Sequence, residues 1–388
     1  MGLITPWNLP IAIPLRTLVP ALLAGNAVLW KPSEHTPHAS AFVRSLLEPL
    51  LPDGLLVVLE GGPEVGAAVA SAGCDRLVFT GSVRAGRAVA EAAARTLTPV
   101  SLELGGKDAA IVCADCDLER TARGIVWAAF FNGGQNCAAI ERVYVERAVA
   151  RPLLDLLVDL ARAIRVGPDG ELTPLATEAQ RQTVRRHLED ARARGARILC
   201  GGTFREGGYL EPTILTDLPE DALVMTEESF GPLLPVVAVE RAEDAIARAN
   251  ASDYGLNGSI WSRDLARARR LALQLEVGVA LVNNHAFTGA VPQLPWSGVK
   301  RSGSGVTSSE LALEHLTRPH VLLLDRAREP GDPWWFPYTE TARRLLRRAI
   351  ALGADSALRA VGQLPGLLRL VSRRRRELRG ASHPEDRR

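Results

Sequence analysis

The chain has 388 residues, enough for two domains with separate cores. Its 47% hydrophobic and 23% charged residues exclude a disordered or collagen-like polymer, and a formal net charge of +2 argues against a protein that coats nucleic acid. That total is unevenly spread: residues 331–388 hold 13 Arg against 6 acidic residues, a net of +7, which leaves the first 330 residues at −5.

In chain order, short apolar runs at Leu3–Ile4, Ala27–Trp30, Leu55–Leu59, Leu77–Phe79 and Val100–Leu104 predict buried strands. Helix-length stretches over roughly 11–23, 37–50, 63–72 and 83–96 lie between them, and breakers fall at Gly25-Asn26, Pro52-Asp53-Gly54 and Gly61-Gly62. Strands alternating with helices predict a parallel sheet covered on both faces, half or more of a nucleotide-binding α/β domain. The pattern resumes near residue 106. Leu153, Leu157, Leu160 and Ile164 share one face of a helix expected to begin at Pro152. A polar helix near 177–194 ends at Gly195, before a strand at Arg197–Cys200. Helices near 242–250 and 264–275 flank a strand at Gly258–Ser262, and a strand at Val277–Asn283 completes a second α/β domain. After Arg328 come a linker, the aromatic knot Trp334-Trp335-Phe336-Pro337-Tyr338, Arg/Leu-rich helical segments, the run Arg373–Arg376 and a polar end expected to be disordered.

Only three lysines occur, Lys31, Lys107 and Lys300, so almost every cation is Arg. The two are not interchangeable where a compact ammonium must fit, which marks these three positions. The five cysteines (Cys74, Cys113, Cys116, Cys137, Cys200) have no disulfide-framework spacing and suit a reducing, cytoplasmic setting. Cys113-x-x-Cys116 lacks a second pair or nearby histidines and is read as strand-end packing; no metal site is expected. No signal peptide is expected, Pro6 breaks a myristoylation pattern, and no uncharged apolar stretch reaches the ~18 residues of a membrane span.

Several segments carry chemistry. Phe131-Asn132-Gly133-Gly134-Gln135-Asn136-Cys137 places a thiol after a glycine-rich turn, and Ser101-Leu102-Glu103-Leu104-Gly105-Gly106-Lys107 puts a carboxylate at a strand end, where side chains reach a cleft. Ile4-Thr5-Pro6-Trp7-Asn8-Leu9-Pro10, Lys31-Pro32-Ser33-Glu34, Phe79-Thr80-Gly81-Ser82 leading to Gly86, Glu227-Glu228-Ser229-Phe230-Gly231-Pro232 and Pro295-Trp296-Ser297-Gly298-Val299-Lys300 accompany them. In this order and spacing the chain resembles the NAD(P)-dependent aldehyde dehydrogenase family from about Gly2 to Val321, and all three lysines fall inside the shared motifs.

The resemblance implies an aldehyde dehydrogenase-like fold of two α/β domains. These are an incomplete Rossmann-like cofactor domain over 1–105 and a catalytic thiol domain over 106–300, hinged near Leu104–Gly106. A C-terminal return with an oligomerisation strand follows over 301–328, then a basic tail over 329–388. It implies oxidation of an aldehyde to a carboxylic acid. Cys137 matches the family nucleophile, which forms a thiohemiacetal and then a thioester. Asn8 matches the residue that, with the Cys137 N–H, stabilises the oxyanion, and Glu103 matches the general base for hydrolysis. A thiol is weakly nucleophilic at neutral pH, so the surroundings of Cys137 are expected to favour the thiolate. For the cofactor, Lys31, Ser33 and Glu34 match the adenosine-ribose site. Thr80, Gly81, Ser82 and Gly86 open a helix whose N-terminus suits a pyrophosphate, and Glu228 and Phe230 match the nicotinamide-ribose side. The Glu34 carboxylate favours NAD, with NADP open. Lys107 and Lys300 are read as structural anchors, and Asn136 and Ile140 as pocket residues.

Two departures from the family stand out. Met1 falls inside the motif strand that family members reach only after a substantial segment, so a truncated chain is expected, poorly soluble or inactive by itself. At the other end His320–Leu324 is expected to form the strand that completes a partner subunit's sheet, giving a homo-oligomer when full-length. Beyond it, Leu345, Leu346, Ala349, Ile350 and Leu352 form an apolar stripe flanked by Arg343, Arg344, Arg347 and Arg348. That pattern suits either a helix docked on its own domain or peripheral contact with a membrane surface. The rival functions are a non-catalytic truncated paralogue acting as a scaffold, and a coenzyme A-acylating dehydrogenase, which Glu103 opposes.

Overall fold

The structure, a computed structural model, describes residues 1–354 and 357–380. It divides into two compact units, Met1–Arg318 and a second unit from Pro319 onward.

The first unit opens with strands β1 (Gly2–Ile4), β2 (Val28–Lys31), β3 (Leu56–Val58), β4 (Leu77–Thr80) and β5 (Val100–Glu103), alternating with helices α1 (Ala12–Leu23), α2 (Pro37–Leu47), α3 (Pro63–Ala70) and α4 (Val83–Ala94). All five strands run parallel, in the order β5-β4-β1-β2-β3. Neighbouring residues on a strand go to opposite faces, and both faces are buried here. Leu3 and Val78 join one core with Leu18 and Trp30, while Ile4, Leu77 and Phe79 join another with Val89 and Leu104. A side chain of this size stabilises by about 1.5–3 kcal/mol when fully buried. The continuous apolar runs of the sequence therefore mark a doubly covered sheet. The outer faces of α1 and α2 still expose Val19, Leu23, Phe42 and Leu46.

The chain then builds a second sheet. Its elements are β6 (Asp108–Val112), α5 (Leu118–Phe130), β7 (Ile140–Glu146), α6 (Arg147–Ala163), α7 (Glu178–Ala193), β8 (Arg197–Cys200), β9 (Thr213–Thr216), α8 (Leu223–Thr226), β10 (Leu233–Val239), α9 (Ala242–Asn250), β11 (Tyr254–Gly255), β12 (Asn257–Trp261), α10 (Leu265–Ala272) and β13 (Val279–Val282). The order is β13-β12-β6-β7-β10-β9-β8, parallel except for β8. Side-chain caps start several helices: Ser82 accepts from the Ala85 N–H, Asp117 from Arg120, Thr177 from Gln180 and Asp264 from Arg267. Each such cap is worth about 1 kcal/mol. Finally β14 (Val299–Lys300) pairs with β11, and β15 (Gly303–Ser304) returns to the first sheet antiparallel to β5, opposite Glu103 and Leu102, before α11 (Ser309–His315).

One expectation is corrected in this region. The helix expected to begin at Pro152 begins at Arg147, with Pro152 inside it. Glu146 and Arg147 continue directly from β7, so the helix starts without a loop and proline is tolerated near its N-terminal end. The segment His320–Leu324 forms no ladder among the described residues, and Val321–Leu324 are exposed. The pairing expected for this run is with a partner subunit's sheet, not within the chain.

The second unit contains α12 (Glu340–Ala354) and α13 (Ala357–Gly380), packed against one another. Ala342, Leu345 and Leu378 are buried, whereas Ala349 and Ile350 of the expected stripe are exposed. Arg374 departs from its neighbours in the arginine run. Its guanidinium is buried and donates to the carbonyls of Trp335 at 2.7 Å and Pro337 at 2.6 Å, fastening the aromatic knot. The polar end beyond residue 380 lies outside the described residues.

Candidate active site

The first sheet delivers its C-terminal strand ends to one edge. There a cavity of about 290 Å³ is lined by Trp7 and Asn8 after β1, Thr80, Gly81 and Ser82 after β4, Glu103 and Gly105 after β5, and by Cys137, Glu228 and Phe230 from the second sheet's connections. Parallel strands with ligands gathered beyond their carboxyl ends are the general logic of open α/β sheets.

Backbone strain shapes the Cys137 loop. Phe131–Gly134 forms a tight turn with Asn132 (φ 55°), Gly133 (φ 64°) and Gly134 (φ 73°) in the left-handed region, and a Cβ at Gly134 would run into the Gly231 carbonyl. Fully buried Gln135 locks the turn. Its side-chain amide donates to the carbonyls of Asn132 and Pro174, both at 3.0 Å, and accepts from the Ala176 N–H at 2.8 Å. The turn is tied to the first sheet by a reciprocal pair of amide bonds. Asn132 Nδ2 donates to the Asn8 carbonyl at 2.9 Å, and Asn8 Nδ2 donates to the Gln135 carbonyl at 3.1 Å. One Asn8 N–H thus serves orientation; the amide's second N–H remains for a ligand.

The electrostatics correct one expectation. Burial pushes the Cys137 thiol up to about 12, with Glu103, Glu228 and Asp108 pushing the same way and Arg16 opposing them. The surroundings therefore hold the thiol protonated rather than favouring the thiolate. Glu103 is itself 4% exposed, and burial raises its carboxyl to about 7 against the opposing pull of Arg16, Thr307 and Trp296. Glu103 Oε1, Trp296 Nε1, Thr307 Oγ1 and Arg16 Nε are buried and make no well-formed hydrogen bond among the described residues, although Thr307 and Trp296 lie near enough to the carboxyl to interact with it. Buried polar atoms of this kind are where an ordered water is held. The Arg16 guanidinium lies 5.7 Å from the centre of the Trp296 ring, which keeps a cation near both the thiol and the carboxyl.

Glu228 rests against the glycines that follow Glu103. Gly106 N–H donates to its carboxylate at 3.2 Å, and a Cβ at Gly105 would strike that carboxylate. Burial and the nearby Glu141 raise the Glu228 carboxyl to about 8. Phe230 (φ 49°) meets Trp7 edge to face at 5.6 Å. Gly86 sits behind the cavity in α4, where a Cβ would strike Leu104, so helix and strand approach closely there. Lys31, Ser33 and Glu34 do not line this cavity. Lys31 ends β2 and Ser33 and Glu34 follow it, with Lys31 Nζ 2.7 Å from Glu34 Oε2; against the effect of partial burial, this pairing holds the Glu34 carboxyl below the usual range. The Cys113 and Cys116 thiols are buried and pushed up by that burial, Cys113 to about 12. Neither expected pocket residue lines the cavity: Asn136 Oδ1 accepts from the Ala138 N–H at 3.2 Å, and Ile140 is buried at the start of β7.

Two lysines hold backbone in place. Lys300 Nζ donates to the Asn250 carbonyl at 2.6 Å, at the end of α9, and pairs with Glu276 at 2.8 Å. Lys107 is fully buried. Its ammonium pairs with Glu141 and donates to Ser229 Oγ at 3.2 Å, while Glu141 accepts from the Ser229 and Phe230 N–H groups, each at 2.8 Å. Burial lowers the Lys107 pKa against the pull of Glu141. This pair fixes the backbone that carries Glu228 and Phe230. In the sequence Glu141-Arg142 is only a charged pair inside an apolar strand just after the thiol; the fold gives it this role. Lys107→Met is expected to destabilise the chain by about 3–5 kcal/mol, because it strands a buried carboxylate. Adding Glu141→Gln should recover part of the loss; a double variant no more stable in denaturant titration than the single one would contradict this pairing.

Residues 1–322 match the aldehyde dehydrogenase family. The chain is 41% identical to a 4,4'-diapolycopene aldehyde oxidase from a Methylomonas species, over 87% of this chain and 64% of that protein. It is 39% identical to a betaine aldehyde dehydrogenase from Cereibacter sphaeroides, over 80% of this chain and 66% of that one. The chain thus spans just under two thirds of the length of both relatives. A Mycobacterium tuberculosis aldehyde dehydrogenase solved with NAD+ superposes with a TM-score of 0.78 at 36% identity, covering 82% of this chain and 67% of that one. The fold is the aldehyde dehydrogenase fold. The chain belongs to the aldehyde dehydrogenase family.

Proposed function

We propose that the protein oxidises an aldehyde to a carboxylic acid with a nicotinamide dinucleotide: RCHO + NAD(P)+ + H2O → RCOO− + NAD(P)H + 2 H+. The observation that carries this reading is the meeting of Cys137, Glu103 and Asn8 at one cavity. The residues present fit the cofactor. Ser82, which lines the cavity, caps a twelve-residue helix, Glu34 offers an acceptor for ribose hydroxyls and tilts the choice to NAD, and Glu228 and Phe230 border the cavity that holds the thiol. When bound, the nicotinamide supplies the hydride acceptor.

The chain's own groups do the rest. A thiol held near 12 cannot ionise in advance, so its proton leaves as the sulfur attacks, and a carboxyl held near 7 is ionised often enough at neutral pH to take it. Asn8 and the Cys137 N–H stabilise the oxyanion of the thiohemiacetal; one such donor is worth roughly 3–4 kcal/mol. After oxidation a thioester stands on Cys137; Glu103 gives up the thiol's proton to solvent, then removes a proton from the water that hydrolyses the thioester, and the departing sulfur is reprotonated to restore the thiol. A hydrolytic base beside the thioester disfavours transfer to coenzyme A. The test is aldehyde-dependent reduction of NAD+ or NADP+ by the purified chain beside Cys137→Ala. Turnover that survives loss of the thiol overturns the mechanism.

Exposed Val321–Leu324 and the apolar outer faces of α1 and α2 support a homo-oligomer. In the second unit, Trp334, Trp335, Phe336 and Tyr338 are exposed, and so are Arg343, Arg344, Arg347 and Arg348, a composition suited to an anionic membrane surface. No helix among the described residues is long and apolar enough to cross a membrane. Co-sedimentation with phosphatidylserine-containing vesicles should fall on deletion of 331–388 and on Trp334→Ser/Trp335→Ser. Unchanged co-sedimentation in both variants refutes membrane contact.

A further inference from the structure

The segment 285–296 is held down at its two ends. His285 is 1% exposed and Trp296 3% exposed, while every residue between them is exposed or half-buried. The backbone beside the first end is strained. Ala286 has φ 57° and lies in the left-handed region. A non-glycine residue there costs about 1–3 kcal/mol and persists only where its surroundings over-determine it.

Those surroundings are the second sheet. Ser259 Oγ, in the middle of β12, accepts from Trp261 Nε1 at 3.0 Å and lies 2.9 Å from His285 Nδ1. The Ser259 hydroxyl proton has no other acceptor in this cluster, so it goes to Nδ1 and leaves the imidazole hydrogen on Nε2. That Nε2 is buried and makes no well-formed hydrogen bond among the described residues, although the Ala138 backbone lies near enough to the ring to interact with it. It faces Asp108 Oδ2, also buried and unpartnered, at 3.8 Å. Burial holds the pair uncharged: it lowers His285 to about 3 and raises the Asp108 carboxyl well above its usual range. An imidazole with one nitrogen unmet carries a penalty of about 1–3 kcal/mol that an apolar side chain of the same shape avoids. Filling space therefore does not account for a histidine here.

The side chain pins the walls of the site. Ala286 packs with Cys137 and Ala138 in one apolar cluster that also contains Trp296, and the Trp296 indole acts on the Glu103 carboxyl. Asp108 lies just beyond the glycines that follow Glu103, where a Cβ at Gly106 would meet both the Asp108 carboxyl and the Cys137 carbonyl. We infer that His285 is a positioning residue of the reaction: pinned between Ser259 and Asp108, it holds Ala286 against the Cys137 loop and, through the segment that ends at Trp296, keeps nucleophile and base in register. The inference rests on the aldehyde oxidation proposed above.

His285→Phe keeps a ring and removes both nitrogens, whereas His285→Gln keeps a donor and an acceptor. The phenylalanine variant should lose roughly a hundredfold in kcat, the usual cost of a shift of about 1 Å near reacting atoms, with KM little changed; the glutamine variant should recover most of that loss. A second readout needs no turnover. Alkylation by iodoacetamide at pH 8, followed at the Cys137 peptide by mass spectrometry, should be at least roughly tenfold faster in His285→Phe than in wild type, because a thiol whose cover is loosened ionises nearer its ordinary range. Ser259→Ala should move both readouts the same way, and adding it to His285→Phe should change little further. It also carries the test if His285→Phe fails to fold. Leu157→Ala, in a separate core cluster, destabilises the chain without touching this contact and should leave both readouts near wild type. Alkylation unchanged in His285→Phe and Ser259→Ala, no recovery of kcat in His285→Gln, or equal changes in Leu157→Ala overturns the inference. Faster alkylation in both site variants of a protein that oxidises no aldehyde leaves the pinning of Cys137 standing and removes the proposed activity.

Discussion

Cys137→Ala is expected to abolish aldehyde oxidation, with a loss approaching the roughly millionfold seen when other enzymes lose their nucleophile. The magnitude follows from chemistry: an aldehyde carbon releases hydride readily only after a nucleophile has made it tetrahedral, and no other thiol among the described residues lines the cavity. A second measurement tests the electrostatics rather than the role. With its thiol pushed up to about 12, the protein without cofactor should react slowly with iodoacetamide at neutral pH, and the rate should keep rising roughly tenfold per pH unit through the alkaline range. A plateau below pH 8 would mean that the site holds a thiolate in spite of the burial of Cys137. The two results are independent, so an active enzyme with a rapidly alkylated thiol would retain the nucleophile and remove the proton transfer to Glu103.

What the sequence disclosed follows from how each group comes to its position. Cys137, Glu103 and Asn8 were legible because each sits at a strand end or turn marked by glycine or proline, and short motifs preserve such geometry. The strands of the first sheet were legible because both faces are buried, which writes them as continuous apolar runs. Glu141 was not, because a carboxylate inside a strand reads as an exposed face; only the fold brings the Lys107 ammonium against it. Arg374 was hidden in the same way, as one of four arginines of which this one is buried to hold three-dimensional neighbours. His320–Leu324 is a different case. Its apolar run is strand-like, but pairing depends on a partner backbone that composition cannot supply. The raised thiol pKa was equally out of reach, since it arises from burial and from carboxylates 34, 91 and 29 positions away in the chain, at Glu103, Glu228 and Asp108.

Glu103→Gln is expected to reduce turnover by roughly 10²–10⁴, the usual worth of a general base, and to do so in a way that identifies the base. In the wild type kcat/KM should rise with pH through about 7, as the Glu103 carboxyl loses its proton; the variant should lose that rise. Stability should move oppositely to activity. The folded-state pKa is raised to about 7 from the ordinary 4.5, so between these values the folded chain holds a proton that the unfolded chain releases. The stabilisation is fully present below 4.5 and is lost as the pH climbs to about 7, where ionised Glu103 costs about 3 kcal/mol by linkage. A glutamine side chain at this position carries no such charge. The variant should therefore gain thermal stability relative to wild type on going from pH 4 to pH 8, while being the poorer enzyme at pH 8. A stability difference that is flat across this range would place the carboxyl near its ordinary pKa, and full activity in the variant would remove Glu103 from the chemistry. A site that keeps a buried acid poised near neutrality accepts a less stable fold at the pH where it works, because the same desolvation that destabilises the carboxylate makes it basic enough to take a proton from thiol and water.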